Sequence, residues 1–390
     1  MSLFKEAKTL ISENIRDYGM YIALFVIILT FSFMTDGLFM SSRNISNLLD
    51  SAGYIAVLAV GMTLVIVIRH IDLSVGYVAG FLGAIAAILL TQAGVSIYIT
   101  IPIILILGIV VGLLNGFLVA QIGIPSFVAT LAGWLVFRGA LLQVTEKTGT
   151  IIIQDDRFNA IGNGYIPSIL QINGLHLLSL LVGLVGILFY IYGEISTRRN
   201  KIKYDFEVVS KGIFILKLVF VSAIIAYLTW ILAGYNGFSW TVMIILLVVI
   251  VYHFLTTKTV LGRHVFAVGS NPEAAHLSGI NVKKITYMVF GSMGMLAALS
   301  GILFTARLQS ATTTAGTLFE LDAVAAAYVG GVSAAGGVGK VTGAIIGAIV
   351  MASLSNGMNL LGVGISYQYI IRGGVLALAV IFDVMTRKKR

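Results

Sequence analysis

Long apolar runs alternate with short polar breaks along this chain, and the runs have the length of membrane spans. A crossing α-helix needs about 20 apolar residues. Runs of that order predict spans near 18–34, 52–68, 77–90, 97–120, 127–144, 175–192, 213–232, 240–255, 285–306, 341–361 and 365–384. One further crossing, AVAAAYVGGVSAA at 323–335, is short for a full span. It is expected to be a broken or re-entrant helix, which is tolerated only when packed inside protein. The predicted architecture is all-α and polytopic, with about 12 crossings in a single membrane domain over 1–390. Residues 1–17 read as a polar lead-in, SRNISNLL as a short interfacial helix, QIGIPS as a tight inner turn and 145–174 as an external loop. No internal repeat is convincing from the sequence.

Charge orients this pattern. The net charge of +9 gathers in clusters: Lys5, Lys8 and Arg16 before the first span; Arg198, Arg199, Lys201, Lys203 and Lys211 in one break; Lys258, Arg263, Lys283 and Lys284 in another; and Arg387 to Arg390 at the end. Basic residues concentrate on cytoplasmic loops. Counting crossings from an inside N-terminus puts every cluster inside, so both termini are expected in the cytoplasm. This distribution speaks for membrane lipid as the surroundings, not nucleic acid. Composition agrees: 58% hydrophobic and 11% charged, against about a quarter charged in a soluble domain. The 43 Gly suit close helix packing. With no Cys, disulfide and thiolate chemistry are excluded. The five His are scattered without ligand spacing, so no metal site is expected.

The longest polar break in the second half is GRHVFAVGSNPEAAHLSGINV, 262–282. Asn271 can cap a helix, Pro272 suits its first position, and Glu273 sits at the positive end of the dipole. Gly279 suits its end. Such a helix has about two turns and is too short to be stable alone. Small Ala274 and Ala275 would let a partner surface approach, and Leu277 would anchor it. The spacing alone fits an ordinary capped loop equally well.

Four stretches carry a family resemblance: EAAHLSGINV in that loop, GMTLVIVIRHIDLSVG at 61–76, ELDAVAAAYVGGVSAAGGVGKVTGAIIGA at 320–348 and SNGMNLLGVGISYQYIIRG at 355–373. The chain resembles the ribose/xylose-type permeases of bacterial sugar ABC importers over nearly its whole length. Relative to the shorter ribose type, 171–238 is an extra segment holding two spans. The resemblance implies a multi-pass plasma-membrane homodimer, a cytoplasmic ATPase that binds ATP and Mg, and an extracytoplasmic sugar-binding protein. It makes 258–284 the coupling loop and the helix at 271–279 the coupling helix that seats on the ATPase. No cofactor and no catalysis are expected in this chain. GGVSAAGGVGK fails as a phosphate loop, because Ala334 and Val341 stand where a glycine and a hydroxyl residue are required.

Within IDLSVG, Asp72 and Ser74 can cap the start of a helix or touch the transport path. Arg69 and His70 are expected to be interfacial. A neutral polyol wants hydroxyl and amide groups in a wet cavity, so Asp72, Ser74, Asn115, Thr130, Gln143, Asn356, Asn359 and Gln368 are candidate liners. For each amide or hydroxyl, the alternative is an ordinary interhelical hydrogen bond. Glu320 and Asp322 would cap a helix start or meet the binding protein. Arg138 and Arg372 lie within spans and need partners. Rival readings are a permease of the same superfamily for amino acids or nucleosides, an ion-coupled carrier and a membrane-embedded enzyme. The last lacks a His/Asp/Glu cluster, and the carrier lacks a titratable relay.

Overall fold

The computed structural model describes residues 15–387 except 147, 169, 170 and 173. Most of the polar lead-in and the last three basic residues fall outside that range. The helices in chain order are α1 (Ile15–Met34), α2 (Ser42–Val67), α3 (Val75–Thr91), α4 (Ile97–Phe117), α5 (Ser126–Thr145), α6 (Asp156–Asn163), α7 (Leu177–Lys203) and α8 (Lys211–Ala233). They continue with α9 (Trp240–Lys258), α10 (Val260–Ser270), α11 (Pro272–Leu277), α12 (Val282–Leu308), α13 (Phe319–Val329), α14 (Val341–Leu360) and α15 (Ile365–Arg387).

Among the described residues, nine helices are long and apolar enough to cross a membrane. Shorter apolar helices cover Gly19–Met34 and Val75–Thr91. The short stretch expected at 323–335 falls on α13, eleven residues long and followed by an irregular stretch up to α14. SRNISNLL is not a separate interfacial helix. Ser41 accepts from the Asn44 amide and caps a helix that runs unbroken from Ser42 to Val67. The basic break after α7 is itself largely helical, because Arg198 to Lys203 form the last turns of α7. The expected external loop contains α6 and a two-residue strand, Ile151–Ile152, paired antiparallel with Ser310–Ala311. Arg307 holds α6 in place, donating to Asn163 Oδ1 at 3.1 Å, while Asn163 donates to the Ala306 carbonyl at 2.8 Å.

Helices α2 and α12 form the centre: 89% and 72% of their most apolar windows are buried, against 11% for α7. They run antiparallel. Val67, at the end of α2, lies beside Gly337 and Gly269 on the side of α10 and α11, whereas Asn44, at the start of α2, pairs with Asn356 on the opposite side.

A repeat invisible in the sequence appears here. The series α2, break, α3, α4, α5 recurs in the opposite direction as α12, break, α13, α14, α15. The packing repeats too: α12 packs on α3 and α4, as α2 packs on α13 and α14. In both copies, the helix after the break starts in the protein interior, where Asp72, Ser74 and Glu320 are buried. Non-helical backbone at that depth survives because it is enclosed by protein.

Candidate functional site

Three features gather the candidate residues: the α10–α11 corner, the junction of the two interior helix starts and a polar pocket. The corner matches its sequence signals. Asn271 Oδ1 accepts from the Ala274 amide at 3.1 Å, Pro272 takes the first turn and Glu273 lies in it. Gly279 has φ +84°, a left-handed conformation that suits glycine. The Gly279 amide donates to the His276 carbonyl at 2.9 Å and the Ile280 amide to the Ala275 carbonyl at 3.0 Å. Those two bonds are the Schellman pattern, so both ends of this six-residue helix are tied off. Ala274 is exposed, but Ala275 is buried against the chain's own core and is turned away from any partner. Leu277 is 87% exposed at the tip.

Arg69 joins this corner to the rest of the molecule. Its Nε donates to the Gly269 carbonyl at 2.7 Å, and its Nη2 donates to the Ser270 carbonyl. These are carbonyls at the C-terminal end of α10, where a cation is favourable. The Gly337 amide, from the loop between α13 and α14, donates to the Val67 carbonyl at 2.8 Å. Arg69 is exposed, as an interfacial residue would be, and it also clamps α10 to the end of α2. No local pattern signals this, because its partners lie 200 and 201 positions away.

The junction collects four of the candidate liners. Ser74 donates from Oγ and from its amide to Asp72 Oδ1 at 2.6 and 2.9 Å. Asn115 Nδ2 donates to Ser74 Oγ at 2.9 Å, and the Leu73 amide donates to Thr130 Oγ1 at 3.0 Å. All four side chains are buried. They satisfy the irregular backbone between α2 and α3 and face protein, not a water-filled wall. Gln143 stands apart from them and is exposed. Glu320 lies on the other side of the junction. It is 5% exposed and accepts from Trp134 Nε1 at 3.0 Å, so it is an interior group and not a surface for a binding protein. Arg138 sits over the rings of Trp134 and Tyr77, 5.3 and 5.9 Å from their centroids.

The pocket is a cavity of about 270 Å³ between α2, α13, α14 and α15. It brings together Asn356, Asn359 and Gln368, three more of the candidate liners, with Tyr54. Gln368 Nε2 donates to Asn359 Oδ1 at 2.8 Å, and Asn356 exchanges bonds with Asn44 at 2.9 and 3.0 Å. Asp322 accepts from Arg372 on the pocket wall, which supplies the partner Arg372 needed. Asp322 is half-buried and faces this pocket. Truncating one member of a largely buried pair strands the other charge. Asp322→Ala should therefore lose about 3–5 kcal/mol, read as a lower midpoint of thermal unfolding in detergent. Asp322→Asn should lose less.

Comparison with known proteins now decides the family. A family model described as "Branched-chain amino acid transport system / permease component" matches residues 44–380. The chain belongs to this permease family. The Haemophilus influenzae xylose transport system permease protein is 41% identical to this permease over 379 residues, 97% of this chain and 98% of that relative. The Escherichia coli K12 xylose transport system permease protein is 37% identical over 378 residues, 97% and 94% of the two chains. The Haemophilus influenzae ribose import permease protein is 34% identical over 366 residues, 93% and 91%. No solved structure matches the permease. It is a multi-pass inner-membrane protein and a component of a transport system.

Proposed function

We propose that this permease is the membrane subunit of an ATP-driven monosaccharide importer. Two copies would form the path, a separate cytoplasmic ATPase would bind ATP and Mg, and an extracytoplasmic binding protein would deliver the sugar. The permease itself would make and break no covalent bond. One observation carries the reading: a helix of six residues, fixed by caps at both ends, presents Leu277 almost wholly to solvent. A short helix held this firmly with an apolar tip is shaped for a groove on another protein. The relatives named for xylose and ribose transport support a single-ring sugar over an amino acid. The inverted repeat would also fit an ion-coupled carrier. Family membership favours the importer.

Leu277→Arg tests it. The charge should weaken docking of the ATPase by at least 2 kcal/mol, about 30-fold. The permease's own unfolding midpoint should stay within a degree or so, because Leu277 touches little of its own chain. Undiminished co-purification of the ATPase would remove the docking assignment. Uptake by the wild-type permease alone, without ATP, would remove the importer reading itself.

A further inference from the structure

We infer that the pocket between α2, α13, α14 and α15 is a sugar-binding station within each permease subunit, centred on the Asp322–Arg372 pair. This deepens the importer reading and rests on it. Asn356 lines the pocket and bonds Asn44, at the end of the molecule opposite Arg69 and α11. Solute arriving from the side away from the ATPase would meet this pocket before the coupling corner.

Size comes next. Pockets for drug-sized ligands span about 300–1,000 Å³. At about 270 Å³ this one suits a single ring. Chemistry then narrows the class. Asp322 and Arg372 neutralise each other, so the wall carries strong acceptors and donors without net charge. Charge-assisted hydrogen bonds are roughly twice as strong as neutral ones. A vicinal diol can donate one hydroxyl to the carboxylate and accept from the guanidinium with the other, leaving the pair intact. A phosphate or a carboxylate would have to compete with Asp322 for Arg372. A zwitterionic amino acid would have to split the pair. Asn359 and Gln368 add amide groups of both senses at the rim, where Asn359 is exposed. Tyr54 packs against Phe319 and Phe304, with centroids 4.7 and 5.1 Å away, and makes a firm wall.

The consequence is selectivity inside the membrane subunit, in addition to whatever the binding protein supplies. The test uses the full complex in proteoliposomes, with saturating sugar-loaded binding protein. A photoactivatable neutral monosaccharide should label residues 51–55 or 355–372, and excess sugar, but not an amino acid or a sugar phosphate, should suppress the labelling. Gln368→Leu, which removes an amide contact worth about 1 kcal/mol, and Ser355→Trp, which fills the pocket from the α14 wall, should each slow uptake about tenfold. ATP hydrolysis per complex should persist, which shows that the variants fold and assemble. Labelling confined to other segments would overturn the station. So would wild-type uptake rates in both variants, or suppression by an amino acid as strong as that by sugar. None of these outcomes touches ATP dependence, so the importer reading would survive them.

Discussion

Gly76→Val should abolish the folded permease. Gly76 opens α3, where a Cβ would lie 2.3 Å from Glu320 Oε2 and 2.4 Å from the Gly316 carbonyl oxygen. The approach is mutual, since a Cβ on Gly316 would lie 2.0 Å from the Gly76 carbonyl oxygen. The Gly316 carbonyl is backbone and cannot yield, and the Glu320 carboxylate is buried, with its other oxygen, Oε1, accepting from Trp134 at 3.0 Å. Overpacking a close-packed interior typically costs about 1–3 kcal/mol, and more when backbone must move. Here the starts of two interior helices would be forced apart at the centre of the repeat. The expected loss is at or beyond the top of that range. The measure is the fraction of chain recovered monodisperse in mild detergent, with its unfolding midpoint. Gly76→Ala should show a smaller loss in the same direction. Wild-type recovery and midpoint for Gly76→Val would mean that α3 and α13 do not meet as described.

That contact marks the boundary of what the sequence could show. Local signals read well. Spans follow from apolar length, and α11 follows from Asn271, Pro272 and Gly279, because capping chemistry acts within a few residues. Hydropathy does not register where two chain segments touch. Gly76 and Glu320, Asp322 and Arg372, and Arg69 and Gly269 are joined only by the fold. The inverted repeat hid for a similar reason. Two helices entering the interior from opposite sides need small residues and a polar group at their starts, and IDLSVG and FELDAV meet that need with different letters. Residue type alone does not separate a wet wall from a dry joint. Asp72, Ser74, Asn115 and Thr130 form the joint, while Asn356, Asn359 and Gln368 line the pocket. Ala275 faces the core because a small side chain suits a close approach to one's own chain as well as to a partner.

Arg69→Ala should uncouple the permease without unfolding it. Arg69 has φ +65°, a conformation that a non-glycine residue adopts at some expense and that the surroundings must enforce. What that geometry secures is a fork: Nε on the Gly269 carbonyl and Nη2 on the Ser270 carbonyl, one residue before the Asn271 cap of α11. Val67, two residues before Arg69, accepts from Gly337. A displacement of α11 is thereby passed to two stretches together. One leads through Asp72 and Ser74 into α3, and the other lies between α13 and α14. These are the elements that meet at Gly76. Each hydrogen bond from the guanidinium is worth about 1.5–3 kcal/mol, enough to bias two access states whose energies differ by a few kcal/mol. Without the fork, the ATPase should still dock, because Leu277 is untouched. ATP hydrolysis should continue but no longer rise when sugar-loaded binding protein is added, and uptake should fall at least tenfold, about 1.4 kcal/mol or more. Arg69→Lys should restore little, since a single ammonium does not reproduce the planar fork. The pairing of retained hydrolysis with lost stimulation separates a transmission role from mere support, which would lower both together. Stimulation by loaded binding protein at the wild-type level in Arg69→Ala would show that the push from α11 reaches the membrane helices by another route.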